Sequence, residues 1–183
     1  MDLRVFENMD PQQLRTYIEF LLWHYRVMDS FWYLYIAEEF GEAAADRLNE
    51  KVWGRIAGMA ARDLVKRLDI KERGLKGFVQ ALRYWPWCIL VDYQIAESAE
   101  EVTISVPSCP TQEARTRRGL KEYNCREMHR LEFSSFALEI DPCIETHCQF
   151  APPDPRQEGL MCRWRFKMKG EGGSRKAEVG RGK

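Results

Sequence analysis

Four of the six cysteines, Cys109, Cys125, Cys148 and Cys162, have positions from which sulfur could do chemistry. A thiolate is a nucleophile and a metal ligand, and a thiol at a favoured position becomes one readily. Cys125 falls at the first position of a helix opened by Asn124, with Glu127 three residues on in capping-box spacing. There the helix dipole and unpaired N–H groups stabilise an anionic sulfur. Cys109 sits in the Pro-bounded loop Pro107-Ser108-Cys109-Pro110, just past a strand end.

Cys148 and Cys162 share a phase. Ile144, Thr146, Cys148 and Phe150 alternate in one stretch, and Leu160, Cys162, Trp164, Phe166 and Met168 alternate in another. A hairpin closed around Ala151 to Gly159, pairing Phe150 with Leu160, places Cys148 directly across from Cys162. Opposed Cβ atoms are about 4.5–5.5 Å apart, close enough for two thiolates to share a metal. A slip by two residues keeps both on one face as diagonal neighbours. Cys109 and Cys125 could complete a four-sulfur site for zinc or iron, or one could act as a nucleophile, although the spacing is not of the CxxC kind. Free cysteine is also a small core hydrophobe, so simple packing stands beside the thiol site for Cys148 and Cys162. For Cys88 and Cys143 packing is the expectation.

Other titratable groups are few. His24 lies opposite the polar stripe of the first helix, and Glu39 falls within the same apolar arc, where an ionisable group needs a partner. His129 has no evident partner in the sequence. Six tryptophans leave room for an aromatic pocket. GxGxxG, GxxxxGK, HExxH and GxSxG are all absent.

The elements that must position these groups can be read in order. Asp10-Pro11 starts a helix expected to run to about Phe40, with Gly41 as its stop. Its polar stripe is narrow (Glu19, Arg26, Ser30, Tyr33, Ala37) and the rest is large and apolar, which predicts a mostly buried helix. A second helix spans about Glu42 to Leu68. Gly74 and Gly77 bracket a turn, and a short helix follows from Phe78 to Tyr84. Period two then predicts strands over Ile89 to Ile95 and Val102 to Val106. The stretch from Thr111 to Lys121 holds one short helix. A helix from Asn124 to about Ile140 follows, then strands from Ile144 to Phe150 and Leu160 to Met168. Two hairpins with an intervening helix predict an α+β fold, with N-terminal helices packed on a four-stranded, mainly antiparallel sheet.

Residues 1–169 read as a single globular domain and 170–183 as a disordered, basic, Gly-rich tail. The 183-residue chain balances 28 Lys and Arg against 28 Asp and Glu, so nothing in its charge favours nucleic acid or an anionic membrane as partner. The first residues lack the pattern of a signal peptide, and the most apolar run, Phe20 to Ile36, is broken by polar residues. A cytoplasmic protein with reduced thiols is the expectation.

The chain resembles a bacterial and archaeal family of uncharacterised cytosolic proteins. The likeness rests on Glu38-Glu39-Phe40-Gly41, Trp85-Pro86-Trp87, the segment from Ser108 to Leu120 (SCPTQEARTRRGL), Ile140-Asp141-Pro142, Pro152-Pro153-Asp154 and Cys162-Arg163-Trp164-Arg165-Phe166. Its motif positions present here are Cys109, Cys125, Cys148, Asp154, Cys162 and Trp164. That family is similar to proteins named for L-2-amino-thiazoline-4-carboxylic acid hydrolase. The last third is also similar to vinyl-reductase-type (V4R) sensor domains. The second likeness implies a small-molecule-binding module, with Trp164 and Asp154 as ligand contacts beside the thiols. The first implies a hydrolase, with Cys125 as nucleophile or metal ligand and Glu39 or His24 as acid/base. A structural or partner-binding domain with packing cysteines is the third alternative.

Overall fold

The computed structural model describes residues 2–157 and 159–170. The tail expected to be disordered lies, from residue 171 on, outside the described residues. The fold is α+β: six α-helices and one four-stranded antiparallel sheet among the described residues.

Helix α1 (Pro11–Phe40) starts as the sequence predicts. Asp10 accepts from the Gln13 N–H at 2.8 Å, and the Gln13 side chain returns the bond to the Asp10 N–H at 2.9 Å. Gly41, at φ 84°, ends α1 and begins α2 (Glu42–Arg67), a conformation that costs glycine little. α3 spans Gly74–Leu82, so the two glycines expected to bracket a turn lie inside the helix instead. α4 (Pro86–Val91) replaces the first half of the expected strand from Ile89. Pro86 at the first helical position, after an extended Trp85, starts a helix there, and Asp92 at φ 55° stops it. Strand β1 (Gln94–Glu97) and strand β2 (Glu101–Val106) form the first hairpin. α5 (Pro110–Arg117) and α6 (Arg126–Ile140) lead to β3 (Ile144–Phe150) and β4 (Cys162–Met168).

The sheet order is β1-β2-β4-β3, so β4 lies between β2 and β3 and joins the two hairpins. Val102, Ile104 and Val106 pair with Phe166, Trp164 and Cys162. Cys148 pairs with Trp164, and a bulge follows before Phe150 pairs with Arg163. The expected Phe150–Leu160 pairing therefore does not form. Leu160 instead closes a local bridge with Gln157, and the Met161 N–H donates to the Val106 carbonyl at 2.7 Å, which draws the chain toward β2. Cys148 and Cys162 share the core face but stand two residues out of register.

Aromatic rings fill the space above that face. Phe78 of α3 lies 4.5 Å from Phe166, and Phe133 of α6 lies 5.3 Å from Trp164, centroid to centroid. Helix α2 packs on α6 through small residues. A Cβ on Gly58 would fall 2.5 Å from the Ser135 hydroxyl, and one on Gly54 would fall 3.2 Å from the Leu131 Cβ.

Helix α1 departs most from expectation: none of its residues is fully buried. The half-buried Arg26, Asp29, Ser30 and Tyr33 face a cavity, while Phe20, Leu21, Met28, Trp32 and Tyr35 are exposed. The narrow polar stripe therefore points inward and the broad apolar arc outward. No helix among the described residues is long and apolar enough to cross a membrane.

Candidate functional site

The cavity bounded by α1 has a volume of about 300 Å³ and lies at the N-terminal end of α6. That is the lower end of the size range for small-molecule pockets. Trp53 of α2, Trp87 of α4, Tyr93, and Phe133 of α6 form much of its apolar wall, with Trp164 of β4 behind. Cys125, His129 and Glu132 line it from α6.

These three residues are spaced i, i+4, i+7, which places them on one face of the helix. His129 Nδ1 lies 2.6 Å from Glu132 Oε2. The Trp85 indole N–H donates to the other oxygen, Glu132 Oε1, at 3.0 Å. Glu132 is only 1% exposed, so both carboxylate oxygens are satisfied by fixed partners, as a buried charge requires. The Cys125 side chain also hydrogen-bonds the imidazole. Burial works against a charged His129, but the bonds to Cys125 and Glu132 outweigh it and hold the pKa well above the usual histidine value.

Cys125 is the N-cap of α6 rather than its first residue, and its side chain caps nothing. The expected capping box is not made: Glu127 pairs with Arg130 instead, at 2.7 and 2.5 Å. The approach to Cys125 is fixed by Gln112 of α5, which is 2% exposed. Its amide donates to the Tyr123 carbonyl and accepts from the Tyr123 N–H, both at 2.8 Å. The same amide nitrogen lies 3.7 Å from Cys125 Sγ. The Trp164 indole N–H, fully buried, satisfies no hydrogen bond and has the Cys162 sulfur beside it.

Across the cavity, Asp29 has its pKa raised to about 6. Burial is the main cause and the Glu132 charge adds to it, against the Trp53 indole, which favours the ionised form. Arg26, Arg117 and Arg118 also line the cavity, and none forms an ion pair among the described residues. Arg118 lies over the Phe31 ring at 5.8 Å, and Arg115 over Tyr33 at 5.6 Å.

The structure brings together part of the set expected from sequence. Cys109, Cys125 and Cys162 line the cavity, and Cys148 lies close enough to interact electrostatically with Cys125 and Cys162. Burial raises the thiols of Cys109, Cys148 and Cys162 above the ordinary value. All six cysteines are free. Among the described residues no group of three or more His, Cys, Asp or Glu side chains is arranged to hold a metal ion, so the geometry lends no support to a shared zinc or iron. Trp164 is on the cavity wall, but Asp154 is not: it accepts from the Ala151 N–H at 3.3 Å and ion-pairs with Arg126. His24 and Glu39 are exposed on α1 and do not reach the cavity, because the apolar arc that carries them faces outward.

His129, Glu132, Asp29 and Gln112 are the residues that sequence reasoning missed. The signal was present in the helical spacing from Cys125 through His129 to Glu132, and in the CPTQEAR segment that holds Gln112.

No curated protein and no solved structure matches the chain. The profile of DUF6125, a family of unknown function, matches residues 10–168. The cavity and every residue named on its wall fall within that span, and the chain belongs to this family.

Proposed function

We propose that the chain is a cysteine-dependent hydrolase acting on a small, largely apolar molecule that carries an anionic group. The observation that supports it is the Cys125–His129–Glu132 series facing an aromatic cavity. A nucleophile, a base bonded to it and a third group orienting the base is the arrangement that covalent catalysis needs.

In this mechanism Cys125 Sγ attacks an electrophilic carbon of a C=O or C=N group. With Nδ1 committed to Glu132 and the imidazole held protonated, Nε2 already carries the proton that the Cys125 thiol has given up, and the sulfur attacks as one half of a cysteine–histidine ion pair. His129 then gives that proton to the leaving nitrogen or oxygen as its bond to carbon breaks. A water molecule, deprotonated by His129, cleaves the thioester or thioimidate and frees Cys125. The Trp164 indole N–H, beside the Cys162 sulfur, and the amide of Gln112 are donors near the negative charge that develops on the substrate heteroatom. Asp29, protonated into the mildly acidic range, is a second proton donor on the opposite wall. Arg26, Arg117 and Arg118 supply the charge that would select an anionic substrate. The resemblance to L-2-amino-thiazoline-4-carboxylic acid hydrolases points to the same reaction class, and the cytoplasm would keep the thiols reduced.

Brief exposure to p-nitrophenyl acetate, read by intact-protein mass spectrometry, tests this. One acetyl group should appear on Cys125 and decay by hydrolysis, and His129→Gln should slow both steps at least tenfold. Acetylation unchanged in Cys125→Ser would overturn the proposal. A second reading, a ligand-binding module like the V4R domains, is favoured by the eight aromatic side chains on the cavity wall. It would be supported by an organic molecule co-purifying with the protein while Cys125 stays inert.

A further inference from the structure

Helix α1 carries an apolar seam that the protomer covers only at its edges, where Phe6 lies 5.1 Å from Tyr17 and Arg118 lies over Phe31 at 5.8 Å. Tyr17, Leu21, His24, Met28, Phe31 and Tyr35 follow one another at intervals of 4, 3, 4, 3 and 4, which is the heptad spacing of a helix that packs on another helix. Phe20 and Trp32 flank the seam. Leu21, Met28, Phe31 and Tyr35 are 44, 56, 42 and 60% exposed, and Phe20 and Trp32 are 50 and 54% exposed. Phe31 also borders the cavity, which is otherwise lined by the neighbouring side of the same helix through Arg26, Asp29, Ser30 and Tyr33.

From this we infer that two copies of this chain pair through α1, antiparallel, about a twofold axis near Arg26. Three observations choose a second copy as the occupant. The first is area. The seam side chains, five of them exposed and Tyr17 partly so, present roughly 500–600 Å² before the flanking residues are counted, against about 800 Å² per partner in a standard interface. It also lies at the upper limit of about 300–600 Å² for the largest apolar patch on an ordinary monomer.

The second is self-complementarity. Under an antiparallel twofold axis at residue 26, Tyr17 meets Tyr35, Leu21 meets Phe31 and His24 meets Met28. Every seam residue then faces another seam residue, as an isologous contact demands. The third is charge. α1 holds two arginines and four carboxylates, and its polar stripe faces the cavity. A helix that lies on an anionic membrane carries its cations on an open polar face. This helix has neither the cations nor the open face.

Sedimentation equilibrium of the full chain at micromolar concentration tests the inference. Twice the chain mass is expected. Leu21→Glu combined with Met28→Glu should return the single-chain mass, with the far-ultraviolet circular dichroism spectrum unchanged, because both side chains are exposed in the protomer. A wild-type chain that is monomeric at 50 µM overturns it, as does a double variant that remains dimeric. A monomer that floats with phosphatidylglycerol vesicles overturns it in favour of a membrane. Orientation is read by disulfide trapping. His24→Cys with Met28→Cys should cross-link between copies, whereas cross-linking by Met28→Cys alone, beyond the wild-type background, would replace the antiparallel arrangement with a parallel one.

Discussion

At the scale of single residues, the proposed chemistry turns on a buried charge held at three points. Glu132 joins Trp85, His129 and, through the imidazole, Cys125. Glu132→Gln keeps the shape and the Trp85 bond but removes the charge that orients the imidazole. It should cut turnover or Cys125 acetylation by 10²-fold or more, and lower unfolding stability by about 1–3 kcal/mol in urea titrations. The raised pKa of His129 fixes a pH slope. The folded state holds the imidazole proton more tightly than the unfolded state does. The resulting stabilisation is complete below about pH 6.5 and is lost as pH rises through the elevated folded value. Thermal melts in that window should show the wild-type midpoint falling and the His129→Gln midpoint nearly flat. Asp29 gives a slope of the same sign at lower pH. Its folded pKa, about 6, lies above the ordinary carboxylate value of 3.8, so ionising it costs stability as pH rises between the two. Asp29→Asn should stabilise the protein at pH 7 by roughly 1–2 kcal/mol, two pKa units discounted for partial exposure, and leave it unchanged near pH 4.

At the scale of elements, α6 carries the candidate site and α2 locks α6 in place. The contact is close because Gly54 and Gly58 bear no side chain where Leu131 and Ser135 approach. Gly58→Val must push the helices apart, at a cost of about 1–3 kcal/mol seen as a lower denaturant midpoint. The spacing of Cys125, His129 and Glu132 is set by the helical repeat alone. One residue inserted between 126 and 128 would turn Cys125 by about 100° relative to His129. Acetylation of Cys125 should then vanish, while an insertion at the 98–100 turn should leave it intact. Element boundaries were legible wherever local chemistry decides them: the Asp10–Gln13 cap, the Gly41 stop and the alternation in β2, β3 and β4. Pro86 misled because its neighbours Ile89 and Val91 alternate like a strand, yet six residues beginning with proline are helical. The β3–β4 register was hidden because the Met161–Val106 bond, a contact remote in sequence, draws the chain toward β2, and a bulge follows Cys148. The candidate site was legible in its sulfurs but not in its acid and base. His129 finds Glu132 three residues later, and the Glu132 partner that fixes it, Trp85, is 47 residues earlier.

At the scale of the whole molecule, the sequence pattern of α1 was read correctly as amphipathic but assigned the wrong sides. A helical wheel shows that two faces differ; it does not show which one meets solvent. Here the polar face, with Arg26, Asp29 and Tyr33, meets an internal cavity, and the apolar face is left outside. A single helix that is the wall of one compartment and the contact surface of another joins the two thermodynamically. Any shift of α1 that lets the cavity close on a bound molecule also moves the seam, and a partner on the seam restrains that shift. If occupancy of the cavity strengthens self-association by some factor, self-association must strengthen occupancy by the same factor. Saturation curves measured for a cavity-bound inhibitor should then depend on protein concentration, and the Leu21→Glu, Met28→Glu variant should remove that dependence.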